Sequence, residues 1–207
     1  PRGAAAVLMR LLVVHAHPLP DSFGAALLRA ALDGAREGGH EARALDLHAE
    51  GFQPVLTAEE RRRYDDDPPP DPAALDPALG PHVAALRWAE GILLVHPTWW
   101  GGPPAILKGW LDRAWRPGVA FHAEGGGLRP GLPGVRLLGV LTTLASPRWA
   151  WALQGQPGRR MVLRTLRPFV ARRARTLWLA LHDMDKATPE RRAAHLARVR
   201  ATVAALR

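Results

Sequence analysis

The sequence predicts an α/β protein: a doubly wound, five-stranded parallel sheet of order 2-1-3-4-5 with helices on both faces. Three observations carry this. The runs Leu11–His15 and Gly91–His96 are apolar rather than alternating, the pattern of strands buried on both faces. Stretches with helical start and stop signals separate the strands, so strand and helix alternate along the whole chain. The chemically unusual residues cluster just after strands, and such sheets bind ligands beyond the strands' carboxyl ends, at the switch point between strands 1 and 3.

Each element has its own warrant. Leu11–His15 is the first strand. Ser22 is an N-cap for a helix through about Arg36, which Gly38 and Gly39 end. Glu41–Leu47 is the second strand. Thr57–Tyr64 is a short polar helix opened by Thr57. The run DDDPPPDP (Asp65–Pro72) cannot pack or continue a helix, so 65–77 reads as a Pro/Asp-rich loop. Asp76 and Pro77 form an N-cap and first-turn pair for a helix to about Glu90. Gly91–His96 is the third strand. Pro103–Trp115 is helical, with Ile106, Leu107, Trp110 and Leu111 on one face. Arg136–Leu141 is the fourth strand. A helical region fills about Ala150–Arg173, broken or kinked by Pro157 and Pro168. Leu177–Leu181 is the fifth strand. Thr188 and Pro189 start a last helix whose Leu196, Val199, Val203 and Leu206 form a buried stripe.

The 207 residues suit one domain, with a hydrophobic fraction of 47% that can fill a sizeable core. No apolar run is long enough for a transmembrane helix. The opening PRGAAAVLMRLLVV is too short, and too soon strand-like, for a signal peptide; 1–9 reads as extra or disordered residues, with Met9 an alternative start. No cysteine is present, which is compatible with a reducing cytoplasm, the expected location. The formal charge is +9, carried almost wholly by arginine because Lys108 and Lys186 are the only lysines. The arginines are scattered and show no aromatic interleaving, so nucleic acid is not an expected partner.

Three strand ends carry the chemistry. HAHPLPDSF after strand 1 leads into a helix N-terminus, whose unpaired amides and partial positive charge suit an anion. The amides of Ser22, Phe23 and Gly24 would face it, with the Ser22 hydroxyl as cap or donor and His17 as a further donor. Neither a P-loop nor a G-x-G-x-x-G fingerprint is present. HPTWWGGPP after strand 3 makes a stiff, flat, apolar wall, while Trp110 and Trp115 read as core. TTLASPRW follows strand 4. His96 reads as a strand-end histidine rather than a catalytic one.

The block HPTWWGGPPAILKGWLDRAW resembles the signature of the flavin-dependent NAD(P)H:quinone oxidoreductases of the DT-diaphorase type and their shorter bacterial relatives. The first loop, Ala16-His17 with Ser22-Phe23-Gly24, is similar to that family's A-H-x-x-x-x-S-F-N, and Ala44–Glu60 resembles its D-L-Y-x-x-x-F-x-P segment. The likeness runs from about Leu11 to Phe121 and weakly beyond. It implies a flavodoxin-like fold, usually dimeric, with FAD or FMN as cofactor and NAD(P)H as co-substrate, a hydride passing through the flavin to a quinone-like or other aromatic acceptor. Carried over by position, His17, Ser22, Phe23 and Gly24 would meet the flavin phosphates and ribityl chain. Pro97, Thr98, Trp99 and Trp100 would line the ring system, and Thr142 and Thr143 would contact its polar edge. In such a dimer, Gly118–Gly127 would be an exposed flap anchored by Phe121 and approaching the neighbour's pocket.

The chain departs from the pattern in three places. Gly24 replaces the family's Asn, and Leu144-Ala145 replaces a Gly-Gly pair. Trp151 and Pro157 stand where the larger enzymes hold a Tyr and a His near the reacting ring, so no catalytic side chain is assigned. Other readings stay open. The resemblance also admits a flavin-binding regulatory or accessory subunit, peripherally associated with a membrane transporter. A phosphoryl receiver would need acidic residues where His15 and His17 stand, and a metal site at His15, His17 and His96 lacks carboxylate partners at diagnostic spacing.

Overall fold

The computed structural model describes residues 8–207. Strand β1 is Arg10–His15, and every residue after Arg10 is buried. Leu12 and Val14 point into one apolar layer and Leu11 and Val13 into the other, which explains why the run does not alternate. Helix α1 (Phe23–Glu37) starts at Ser22, whose hydroxyl accepts from the Ala25 N–H at 3.1 Å. Strand β2 (Glu41–Asp46) is half polar, as an edge strand can be. Helix α2 (Ala58–Arg62) carries a capping box between Thr57 and Glu60.

The Pro/Asp segment is more structured than a loop. Asp71 caps a single turn, α3 (Pro72–Leu75), and Asp76 caps a 3₁₀ turn, Pro77–Leu79, that runs into α4 (Gly80–Trp88). Proline at a first helical position loses no hydrogen bond, so a proline-rich stretch can nucleate turns where aspartates precede it. The expectation for 1–9 falls mostly on residues 1–7, outside the described residues. Met9 itself is fully buried, and its carbonyl accepts from the Glu41 N–H at 3.0 Å.

Strand β3 (Gly91–Pro97) is followed by α5 (Ala105–Ala114). Leu107, Trp110 and Leu111 are buried on its inner face, and Trp115 caps the same core. The expected flap is a β-hairpin, β4 (Phe121–Glu124) against β5 (Gly127–Pro130), turning on Gly125 and Gly126, both at positive φ. Phe121 is anchored within its own chain, 5.1 Å from Phe169 between ring centroids. After β6 (Leu137–Thr143), the predicted long helix is broken into α6 (Arg148–Leu153), α7 (Pro157–Arg160), a π turn (Met161–Leu166) and a 3₁₀ turn that ends at Phe169. The breaks lie at Pro157 and Pro168. The chain closes with β7 (Arg175–Leu181) and α8 (Pro189–Ala204).

The five long strands form one parallel sheet in the order β2-β1-β3-β6-β7, the predicted 2-1-3-4-5, with the hairpin as an excursion. Helices α1 and α8 cover one face and approach so closely that a Cβ on Gly34 would lie 2.3 Å from the Arg200 carbonyl oxygen. Helices α4 and α5 cover the other. On that side Arg113 is buried, donating to Glu60 at 2.9 Å, to Asp76 at 2.6 Å and to the Gln53 carbonyl at 2.6 Å, which ties α5 to α2 and the start of α4. These partners offset the cost of burying the Arg113 guanidinium. No helix among the described residues is long and apolar enough to cross a membrane.

Candidate functional site

The parallel sheet brings the loops after β1, β3 and β6 to one edge, the carboxyl ends of the strands at the β1/β3 switch point. The first loop forms an anion cradle. The Ser22 amide donates to the Leu19 carbonyl at 3.2 Å and the Ala25 amide to the Ser22 hydroxyl. Of the three amides expected to face an anion, this leaves those of Phe23 and Gly24, which start the helix and have no helical acceptor. Nδ1 of His17 accepts from the Leu19 N–H at 3.1 Å, which puts the ring proton on Nε2. Burial first, and then the like charges of His15 and His48, hold its pKa below the usual value, so this donor is a neutral one. A Cβ on Gly24 would sit 3.4 Å from the His17 ring and the Ser22 hydroxyl; glycine keeps that space over the amides open. The Phe23 ring turns away, toward His195 at 6.3 Å, so only its amide serves the cradle.

Beneath it, buried His15 is held by Asp46, Nδ1 to Oδ2 at 2.9 Å. Asp46 accepts in addition from the amides of His48 and Ala49. Burial pushes its carboxyl up, but these hydrogen bonds prevail and keep it below the ordinary carboxylate range. Neither residue was singled out as a pair from the sequence, since they lie on neighbouring strands.

The second loop is a tight hairpin. Trp99 and Gly102 exchange backbone hydrogen bonds at 2.9 Å, with Trp100 (φ 49°) and Gly101 (φ 82°) at the turn. Trp100 is fully exposed at the tip, in a conformation costly for a side chain as large as indole. Pro97 ends β3, and the Thr98 amide donates to the Thr143 carbonyl at 2.8 Å while the hydroxyls of Thr98 and Thr142 lie 2.9 Å apart. These bonds lock the loop onto β6. Thr142 is buried and Thr143 partly exposed at the end of that strand.

The loops enclose a cleft of about 470 Å³ lined by Thr98, Trp100, Leu144, Ser146, Trp151 and Pro157, among others. The Leu144 amide donates to Leu181 and its carbonyl accepts from Met184, so the residue standing for glycine has its backbone committed. Trp151 and Pro157, far apart from Trp100 in sequence, are brought to the same cleft. No ionisable side chain lines it. His96 lies outside it, buried, donating from Nδ1 to the Pro97 carbonyl at 3.0 Å, with burial lowering its pKa to about 4. Trp99 is exposed on the loop's outer side and is not part of the lining. The site therefore combines a neutral anion cradle with an aromatic slot. A second hollow, of about 520 Å³, lies against α5; Tyr64, Trp115, Phe121 and Phe169 line it with the charged Arg61, Asp65, Lys108 and Asp112, and it shares no lining residue with the strand-end cleft.

The family model described as Flavodoxin-like fold matches residues 9–203. An uncharacterized NAD(P)H oxidoreductase, YcaK, of Escherichia coli (strain K12) is 34% identical over 116 residues, 54% of this chain and 55% of that one. An NAD(P)H dehydrogenase (quinone) 1 of Cavia porcellus is 31% identical over 127 residues, 56% of this chain and 46% of that one. The chain thus spans about half the length of the curated relatives it matches. Among solved structures, Smu.1420 from Streptococcus mutans UA159 superposes with a TM-score of 0.83 at 28% identity, covering 96% of this chain and 100% of that one. The sheet order, the strand-end site and a match that runs from β1 into α8 agree: the chain belongs to the family of flavodoxin-like fold.

Proposed function

We propose that the chain is an NAD(P)H-dependent flavoprotein oxidoreductase that passes a hydride from NAD(P)H through bound FAD or FMN to a quinone-like or other aromatic acceptor. The observation that carries this is the adjacency, at one sheet edge, of an anion cradle and an aromatic slot without ionisable side chains. Flavin has the same two parts, a phosphate and a flat ring system, and supplies the redox chemistry when bound. The names of the curated relatives support the same reading.

In this reading the amides of Phe23 and Gly24 and the His17 Nε2–H hold the phosphate, with Ser22 fixing the helix start. Thr98, Thr142 and Thr143 lock the loop that orients the ring, and Pro97 sets its entry. Trp100 and Trp151 line the slot as aromatic surfaces for the ring. Trp99 stiffens the turn from outside. With Trp151 and Pro157 in place of an ionisable pair, the slot offers no side-chain proton relay, so protons reach the acceptor from solvent.

A two-fold homodimer in the cytoplasm belongs to the same proposal. The dimer's support is the aromatic-lined hollow beside the hairpin, together with the exposed Leu128 on β5. Light scattering at micromolar concentration tests the dimer. The activity is tested by anaerobic mixing of the flavin-loaded protein with NADPH or NADH, followed by a quinone. Flavin bleaching by the nucleotide and its recovery with the quinone are expected; a flavin that neither nucleotide reduces overturns the proposal.

A further inference from the structure

Beyond the strand-end site lies a second, chemically distinct groove on the outer edge of the sheet. A cavity of about 270 Å³ between the end of β7 and α8 is lined by Arg148, His182, Arg191, His195 and Arg198, with only small or apolar residues beside them. Its lining contains no carboxylate. His195 is 8% exposed, and its Nε2 has no hydrogen-bond partner among the described residues. Burial, and after it the charges of Arg198 and Arg191, keep this ring below its usual pKa. Asp183 follows His182 but does not line the cavity. Arg191 is fixed by donating to the His182 carbonyl at 2.7 Å, so the cluster is held rather than splayed.

Arg148 and His182 also line a neighbouring groove of about 480 Å³, whose other walls include Trp149, Trp151, Trp178 and Arg159. The indole of Trp149 is 68% exposed there. Basic cavity and aromatic groove are thus continuous. Trp151 separates them from the strand-end cleft, lining both the groove and the cleft.

We propose that this outer groove is a nucleoside-phosphate site, the basic cavity taking the phosphate and the tryptophan-lined groove the planar base. A buried, unpartnered imidazole among arginines calls for an anion, since burying polar groups without partners is costly. The exposed indole of Trp149 suits a base, because stacking needs only a flat face. The same chemistry has two sources, a free mononucleotide or the phosphate-bearing adenosine end of NADPH. The site itself does not rest on the proposed activity.

Titration calorimetry of the full chain with 5′-AMP, adenosine and inorganic phosphate tests it. AMP is expected to bind more tightly than either part. Arg198→Ala weakens AMP and phosphate by roughly tenfold and spares adenosine. Trp149→Ala weakens AMP and adenosine and spares phosphate. Both side chains are exposed, and an unchanged melting temperature verifies each fold. NADPH that displaces AMP identifies the dinucleotide as source, and AMP binding that NADPH leaves untouched identifies a free mononucleotide. No AMP binding at millimolar concentration overturns the proposal. So does binding that neither substitution changes, or phosphate binding as tight as that of AMP.

Discussion

Trp151 lies nearly parallel to Trp178, with ring centroids 6.3 Å apart and planes inclined by 13°. Trp151 is buried between α6 and β7, and it is the wall between the strand-end cleft and the outer groove. Replacing it removes a core side chain and a partition together. Trp151→Ala is expected to cost about 3–5 kcal/mol in stability, read by denaturant unfolding. A loss within experimental error of zero would mean that the indole is not packed as described.

Trp100 gives the opposite expectation. Its side chain touches little and its backbone is left-handed. Trp100→Gly relieves that strain and is expected to stabilise the fold by about 1 kcal/mol while weakening flavin binding. Flavin affinity and melting temperature moving in opposite directions is the signature to look for. Trp110→Ala, on the buried face of α5, is expected instead to destabilise by about 3–5 kcal/mol.

The cradle is tested at Phe23. Phe23→Pro removes one of the two remaining amides, at a first helical position where proline is tolerated. Phe23→Ala keeps the amide and loses only the ring. The proline variant is expected to bind flavin more weakly than the alanine variant by about 2 kcal/mol, near thirtyfold in dissociation constant. Equal affinities would place the phosphate elsewhere.

Arg113 and Glu60 make a pH prediction. Burial pushes the Glu60 carboxyl up, but the Thr57 amide and the Arg113 guanidinium outweigh it and hold the pKa below the usual value. A carboxylate lowered in the folded state stabilises above its unfolded pKa, and that contribution fades as the pH falls through the folded value. Arg113→Leu strands Glu60 and is expected to cost about 3–5 kcal/mol at neutral pH. The gap to the parent should narrow as the pH falls through the carboxylate range, since the stranded Glu60 of the variant protonates first and the parent then loses its own ion pair. Chemical unfolding across that range checks both.

Much of this architecture was legible because apolar strands, caps and glycine stops are local signals. Ser22, Thr57 and Thr188 cap helices as their positions predict. The β4–β5 hairpin was not foreseen, although Gly125-Gly126 is a two-residue turn signal; the flanking runs are too short and too mixed to read as strands. The cradle residues were readable as a motif. The cleft was readable only through the family resemblance, which put Trp151 and Pro157 near the ring; no local signal joins them to Trp100, which they meet by tertiary packing. The outer groove was readable only in part: Arg191, His195 and Arg198 recur at helical spacing on α8, but Arg148 on α6 and His182 after β7 join them through tertiary packing alone.

Flavin binding at the strand-end site is read from the visible spectrum of the purified protein, with the mass of the chromophore released on denaturation. The cradle and slot predict the two-band spectrum of oxidised flavin and a released mass of FMN or FAD, or tight uptake of either by colourless protein. A folded protein that carries no flavin and takes up neither one would contradict the assignment of the strand-end site.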